Sequence, residues 1–297
     1  MFTNAAMFTN AAAIPEDTTA SPFASYPGET VVYEKRPNGS VYITDIDREI
    51  LMIVNRTVFC TSRLIFLQLE KNGIDTYVQY VKSRLQKLCE AEFLMGYRFH
   101  SREGQRSSHL SYRLGWRGVG YLKAQGIRTR PGAYIAKTAE DPVRIKKLLS
   151  AVQFVIRKGL YGDGAIFSQT LFVPTGNPDK KSDKCFRPQA IVQLETQTVL
   201  VESVRQDSGW EEYFLEKLTR IERVCAARET NLPLKNPVLV LIAENKAHLE
   251  MLARMLERRG SRVSVYLTSD TLLYGQPDSC FFRPQKSKSF WARLFAS

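Results

Sequence analysis

Paired cysteines are missing from this sequence. Its five cysteines (Cys60, Cys89, Cys185, Cys225 and Cys280) stand far apart with no CxxC pair. That spacing argues against a disulfide framework and a zinc site, and fits a reducing cytosol. No run approaches the ~20 apolar residues a membrane span requires. No basic-then-apolar leader opens the chain. A cytoplasmic protein without a membrane partner is therefore expected. Histidine is scarce, with three in 297 residues. His100 and His109 bracket a polar loop, and no third ligand has metal-binding spacing. His248 falls on an expected surface helix beside Glu244 and Glu250. No glycine-rich phosphate loop occurs, which argues against a nucleoside triphosphatase. No tyrosine sits beside a histidine cluster, so a relaxase-type nucleophile has no support. No cofactor is expected.

Positive charge is plentiful. The formal net charge is +12 and the pI is near 9.5, which favours a polyanionic partner. The charge is also concentrated. From Thr76 to Arg130, eleven Lys/Arg (82, 84, 87, 98, 102, 106, 113, 117, 123, 128, 130) stand against three acids (Glu90, Glu92, Glu103), a surplus of eight. The length accommodates two domains with full cores.

The basic stretch lies inside a run of elements readable from periodicity. Amphipathic helices are expected over Asp45–Asn55, Thr61–Lys71 and about Asp75–Cys89, with Gly73 ending the second and Asp75 capping the third. Strand-like Phe93–Phe99 and His109–Leu114 flank the polar loop Ser101–Ser108, and Trp116–Gln125 closes the segment. Three helices and a two-stranded wing form a winged helix, whose third helix enters the major groove. Val78, Val81, Leu85 and Leu88 make its apolar face. Thr76, Gln79, Tyr80, Ser83, Gln86 and Lys87 make the opposite face, with Lys82 and Arg84 on the flanks. Amides and hydroxyls bond base edges; Lys and Arg neutralise phosphates. Arg102 and Arg106 in the wing loop are placed to meet the backbone or the minor groove. The competing readings are a merely solvated helix face and a protein-interaction module.

Residues 1–40 read as a flexible arm. They open with MFTNAA followed by MFTNAAA, a near-perfect duplication that is either native or added for expression. Thr30–Tyr33 and Ser40–Ile43 have the pattern of a small hairpin around Pro37-Asn38-Gly39. The winged helix occupies 41–127 and a linker 128–140. A helix from about Asp141 to Lys158 then opens a rear domain, 141–276. Strands are expected at Ala165–Val173, Gln189–Leu194 and Thr198–Val204, with a polar insert at Pro174–Cys185. A helix at Trp210–Glu229, a doubly buried strand at Pro237–Ala243, a helix at Lys246–Arg259 and a strand at Arg262–Leu267 follow. The fold class is α/β (α+β), with rear-domain order α-β-β-β-α-β-α-β. Residues 277–297 form a basic, aromatic tail. Its segment Phe281–Phe295 either packs on the core or docks a partner such as a replication or transfer protein; a membrane-surface helix is a third option.

That order is the skeleton of the PD-(D/E)xK nuclease-like fold. With the winged helix in front, the chain resembles the replication-relaxation family of plasmids and integrative elements, over roughly Thr44 to Gly275. Three pieces carry the resemblance: Ser111-Tyr112-Arg113-Leu114-Gly115-Trp116-Arg117-Gly118, Arg187-Pro188-Gln189-Ala190, and Val199-Leu200-Val201-Glu202-Ser203-Val204. The resemblance implies a role in replication or transfer of mobile DNA.

A nuclease of this fold needs an acid on the second strand, an acid on the third and a lysine two residues later, which together hold and assist Mg²⁺. Here those positions are Gln189, Glu202 and Val204. Arg205 and Gln206 follow but face the other way on a strand. Asp163, Asp183 and Glu195 are weak substitutes. Glu202 and Gln189 therefore read as remnants of a lost site. The expected protein is a non-enzymatic binder of double-stranded DNA at an origin or operator, acting in replication, transfer or transcription regulation. The rear domain then serves as scaffold or homodimerisation unit. The alternatives are a metal-dependent nuclease with a site migrated around Glu202, and a protein-interaction adaptor.

Overall fold

The computed structural model describes residues 30–33, 39–100, 106–130, 134, 139–173, 185–227 and 229–275. Contacts divide the chain into two units at Gly159/Leu160. Among the described residues, no helix is long and apolar enough to cross a membrane.

The front unit begins with Thr30–Tyr33 (β1), Asp45–Thr57 (α1), Cys60–Thr61 (β2), Ser62–Lys71 (α2) and Val78–Glu90 (α3). Leu94–His100 (β3), Arg106–Leu114 (β4), Trp116–Ala124 (α4), Ala139–Glu140 (β5) and Pro142–Arg157 (α5) complete it. The strands form one sheet in the order β2-β4-β3-β1-β5. Local chemistry sets the helix ends. Thr44 and Asp47 form a capping box at α1: the Thr44 hydroxyl accepts from Asp47 N at 3.3 Å, and the Asp47 carboxylate accepts from Thr44 N at 2.8 Å. Thr61 caps α2 and Asp141 caps α5, where Pro142 occupies the first turn. Gly115 and Gly118 permit the turn into α4. A Cβ there would lie 2.1 Å from the Glu92 carbonyl oxygen or 2.2 Å from that of Phe93.

Four expectations for this unit are corrected. Thr30–Tyr33 does not form a hairpin with Ser40–Ile43. It pairs with β3 and β5, and 39–44 is irregular. Joining a larger sheet stabilises a four-residue strand more than an isolated two-stranded hairpin does. The third helix begins at Val78 rather than near Asp75, and its N-cap Tyr77 makes no side-chain cap bond. The chain spends Ile74–Tyr77 crossing from α2 to α3. Arg106 opens β4 opposite His100 and is not part of the loop. Finally, the helix expected to open the rear domain, α5, belongs to the front unit. It packs on α2 and β2, and Lys71 Nζ donates to the Ile156 and Arg157 carbonyls at its C-terminus, at 2.5 and 3.0 Å. The boundary therefore falls at 159/160, after the expected 128–140 linker.

The rear unit comprises Ala165–Phe167 (β6), Leu171–Phe172 (β7), Cys185–Phe186 (β8), Ala190–Gln193 (β9), Thr198–Ser203 (β10), Trp210–Cys225 (α6), Val238–Ala243 (β11), Lys246–Arg259 (α7), Ser264–Ser269 (β12) and Asp270–Gly275 (α8). The main sheet runs β12-β11-β10-β9-β6. β6, β9 and β10 are antiparallel neighbours; β10, β11 and β12 are parallel. Every residue of β10 and β11 is buried, as parallel strands covered on both faces require. The expected strand Ala165–Val173 breaks in two at Ser168, whose φ is +53°. β7 leaves the sheet to pair with β8. α6 and α7 are clamped together by Glu222, which accepts both guanidinium NH groups of Arg259 at 2.9 Å and Arg262 N at 3.0 Å. Those bonds hold the Glu222 carboxyl below its ordinary pKa.

Candidate functional site

The exposed face of α3 is the candidate nucleic-acid interface, and burial decides which side chains it contains. Val81, Leu85, Leu88 and Cys89 are buried in the front unit. Gln79, Lys82, Ser83, Gln86 and Lys87 are exposed, so the helix presents two ammonium groups, two amides and a hydroxyl along one side. Gln86 is partly engaged, donating to Glu90 at 2.9 Å. Tyr80 is half-buried, its ring 5.8 Å from that of Tyr77.

Two expected site residues depart from that face. Arg84 is buried. Its Nε donates to Asp47 Oδ1 at 2.9 Å, its Nη2 makes a second bond to the same carboxylate, and Nη2 also donates to the Tyr42 carbonyl at 2.9 Å. The hydrogen bond to Asp47 strengthens the guanidinium's hold on its proton. Arg84 thus straps α3 to the start of α1 and is not available to a phosphate. Thr76 precedes the helix, and its hydroxyl oxygen is buried without a hydrogen-bond partner among the described residues. Val78, expected on the apolar face, is 41% exposed. Arg102 and the side chain of Arg106 lie outside the described residues, as do the side chains of His100 and His109.

The basic count shrinks further at Arg113. It is buried against Glu140 at 2.9 Å and lies over the Phe59 ring. Arg117 is exposed but rests over Phe93 and Trp116. Lys82, Lys87, Lys123 and Arg128 remain exposed.

In the rear unit, Gln189 and Glu202 do come together. Gln189 Oε1 accepts from Ser203 N at 2.9 Å, so its acceptor serves the sheet where a metal acid was sought. Glu202 is 2% exposed and bonds Lys217 Nζ from α6. Lys217 also lies 5.6 Å from the Phe186 ring and 5.8 Å from that of Tyr213. The sequence reading missed Lys217. Its signal was there: Phe214, Leu218 and Ile221 form the buried stripe of α6, and a lysine beside that stripe faces inward. Val204 is buried and Arg205 points elsewhere, pairing with Asp270 at 2.5 Å. Asp163 and Glu195 are exposed, and Asp183 lies outside the described residues. Among the described residues, no three His, Cys, Asp or Glu side chains stand close enough to hold a metal ion. Burial pushes the Cys60 and Cys225 thiols up to about 12, far from the thiolate a metal needs.

No family model, curated protein or solved structure matches this chain. Function must therefore be argued from these side chains.

His248 also departs from expectation. It is buried where a surface position was expected. Its Nδ1 accepts from Glu244 N at 3.2 Å, and its ring meets Trp210 edge-on at 4.8 Å. Burial, and then the nearby Arg205 charge, lower its pKa to about 4. It packs as a neutral ring.

Proposed function

We propose that this chain is a non-enzymatic DNA-binding protein. In this reading its front unit is a winged helix that lays α3 against double-stranded DNA. In this reading the rear unit is a PD-(D/E)xK nuclease-like domain that serves as scaffold or dimerisation surface. Following its resemblance to the replication-relaxation family, the protein acts in replication, transfer or regulation of a mobile element, with the tail available to a replication or transfer protein. One observation carries the reading. α3 buries its single acid-paired arginine and turns Gln79, Lys82, Ser83, Gln86 and Lys87 to solvent. Ammonium groups flanking amides and a hydroxyl match phosphates flanking base edges.

The test is a fluorescence-anisotropy titration of the full chain against labelled duplex at several salt concentrations. Lys82→Ala with Lys87→Ala is expected to weaken binding to every duplex. It should also flatten the slope of log K against log[salt] by about one to two, near one per lost phosphate contact. Unchanged affinity and slope would refute the interface.

One observation favours the nuclease alternative: Lys217 supplies from α6 the ammonium that Val204 cannot. Supercoiled plasmid with Mg²⁺ or Mn²⁺ is expected to survive incubation with the protein. Cleavage abolished by Glu202→Gln would replace the proposal.

A further inference from the structure

The head of α3 does not look like the rest of that helix. Tyr77 is 65% exposed and Val78 41%, and neither supplies an amide or a charge. Tyr77 and Tyr80 stand as a tilted ring pair 5.8 Å apart. Arg84 lies one turn beyond Tyr80, and its guanidinium holds the Tyr42 carbonyl at 2.9 Å, leaving the Tyr42 residue 86% exposed. Lys87 continues that edge three residues after Arg84. The order along that edge of α3 is therefore aromatic, aromatic, buried strap, ammonium.

The exposed Tyr77 ring paired with half-exposed Tyr80 is apolar surface that a partner can cover. Charge selects among partners. Tyr77 and Tyr80 share α3 with exposed Lys82 and Lys87, which favour an anionic cover, and the ring faces favour a flat one. A nucleic acid meets both conditions, with anionic phosphates and flat bases. Stacking on an aromatic ring uses a base's face, which a closed duplex hides, whereas amides and hydroxyls use its edge. A ring spacing near 6 Å suits successive bases that have left the stack.

We infer that Tyr77 and Tyr80 form a stacking track for unpaired bases, so that the protein prefers locally melted DNA to closed duplex. This inference rests on the DNA-binding reading and adds the class of DNA. The lysines hold phosphates in any DNA; the tyrosines engage only where bases are open.

The experiment uses the full chain and three labelled DNAs of one mixed sequence and length: closed duplex, the same duplex with a central unpaired bubble, and the single strand. The wild-type protein is expected to bind the bubble about tenfold or more tighter than the closed duplex, the effect of one or two stacked bases. Tyr77→Ala with Tyr80→Ala should abolish the preference, lowering bubble affinity about tenfold more than it lowers duplex affinity. Tyr77→Phe with Tyr80→Phe should keep the preference, because stacking needs the ring and not the hydroxyl. Both pairs are exposed or half-exposed, and a circular-dichroism melt checks that the fold persists. Equal wild-type affinity for bubble and duplex overturns the inference, as does retained preference in the alanine pair. Duplex binding with a normal salt slope but no bubble preference sinks the stacking track alone. No binding to any of the three DNAs sinks the DNA-binding reading as well.

Discussion

His248 shows how strongly a single side chain depends on its surroundings. In sequence it sits between Glu244 and Glu250, which would hold an exposed imidazole near or above its ordinary pKa. In the fold, burial and Arg205 lower it to about 4. The folded value lies below the unfolded 6.5, so on acidification the unfolded chain takes up the proton first. The contribution to stability is full above about 6.5 and is lost as pH falls toward about 4. Between pH 7 and pH 5 the loss amounts to about 2 kcal/mol. Denaturant unfolding at those two values should show it, and His248→Gln should flatten the dependence across that interval. A wild-type stability that does not change there would mean that the ring is solvated. Arg84 teaches the same lesson with the opposite sign. On a helical wheel it falls among the DNA contacts, yet Asp47 consumes it.

That pairing matters most for the elements it joins. Asp47 is 0% exposed and serves twice, capping α1 and receiving the Arg84 guanidinium from α3. A buried ion pair broken on one side leaves a charge without compensation, at a cost of about 3–5 kcal/mol. Asp47→Asn, which keeps the shape and part of the cap, should lower front-unit stability by an amount in that range. Arg84→Ala should do likewise, and in a still-folded sample it should leave the salt slope of DNA binding intact. A reduced slope with normal stability would return Arg84 to the interface. Most elements themselves were legible beforehand. α7 matches its expected bounds, and α1, α2, α4, α5 and β9 to β11 differ only at their ends, because helical period, Thr and Asp caps and continuous apolar runs act locally. α3 begins late because connecting α2 to α3 requires Ile74–Tyr77, a tertiary demand that outweighs the capping preference of Asp75. β5, β8 and α8 are short, and no pattern of a few residues announces them.

For the whole molecule, the main surprise is the allegiance of α5. Its apolar periodicity announced a helix, but nothing in that period names the surface it covers. The answer lies in pairs far apart in sequence: Lys71 with Ile156 and Arg157, and Arg113 with Glu140. The expected boundary at 127/128 would strip Glu140 from buried Arg113 and uncover α2. A fragment spanning 25–159 should therefore unfold cooperatively, and one spanning 25–127 should be about 3 kcal/mol or more less stable, or unfolded. Equal stability in chemical denaturation would show that α5 contributes nothing to the front unit.

Sequence alone determined where most helices and long strands lie, that the chain is α/β, and that basic residues cluster between Thr76 and Arg130. Those properties follow from neighbours within a few positions and from composition. Tertiary structure decided which of the basic residues reach solvent, that Lys217 meets Glu202, that His248 is neutral, and that α5 serves the front unit. Each of these depends on contacts through space; Arg84 and Asp47, for example, stand 37 positions apart. Burial then converts a charge drawn on a helical wheel into either an internal strap or a contact for a ligand.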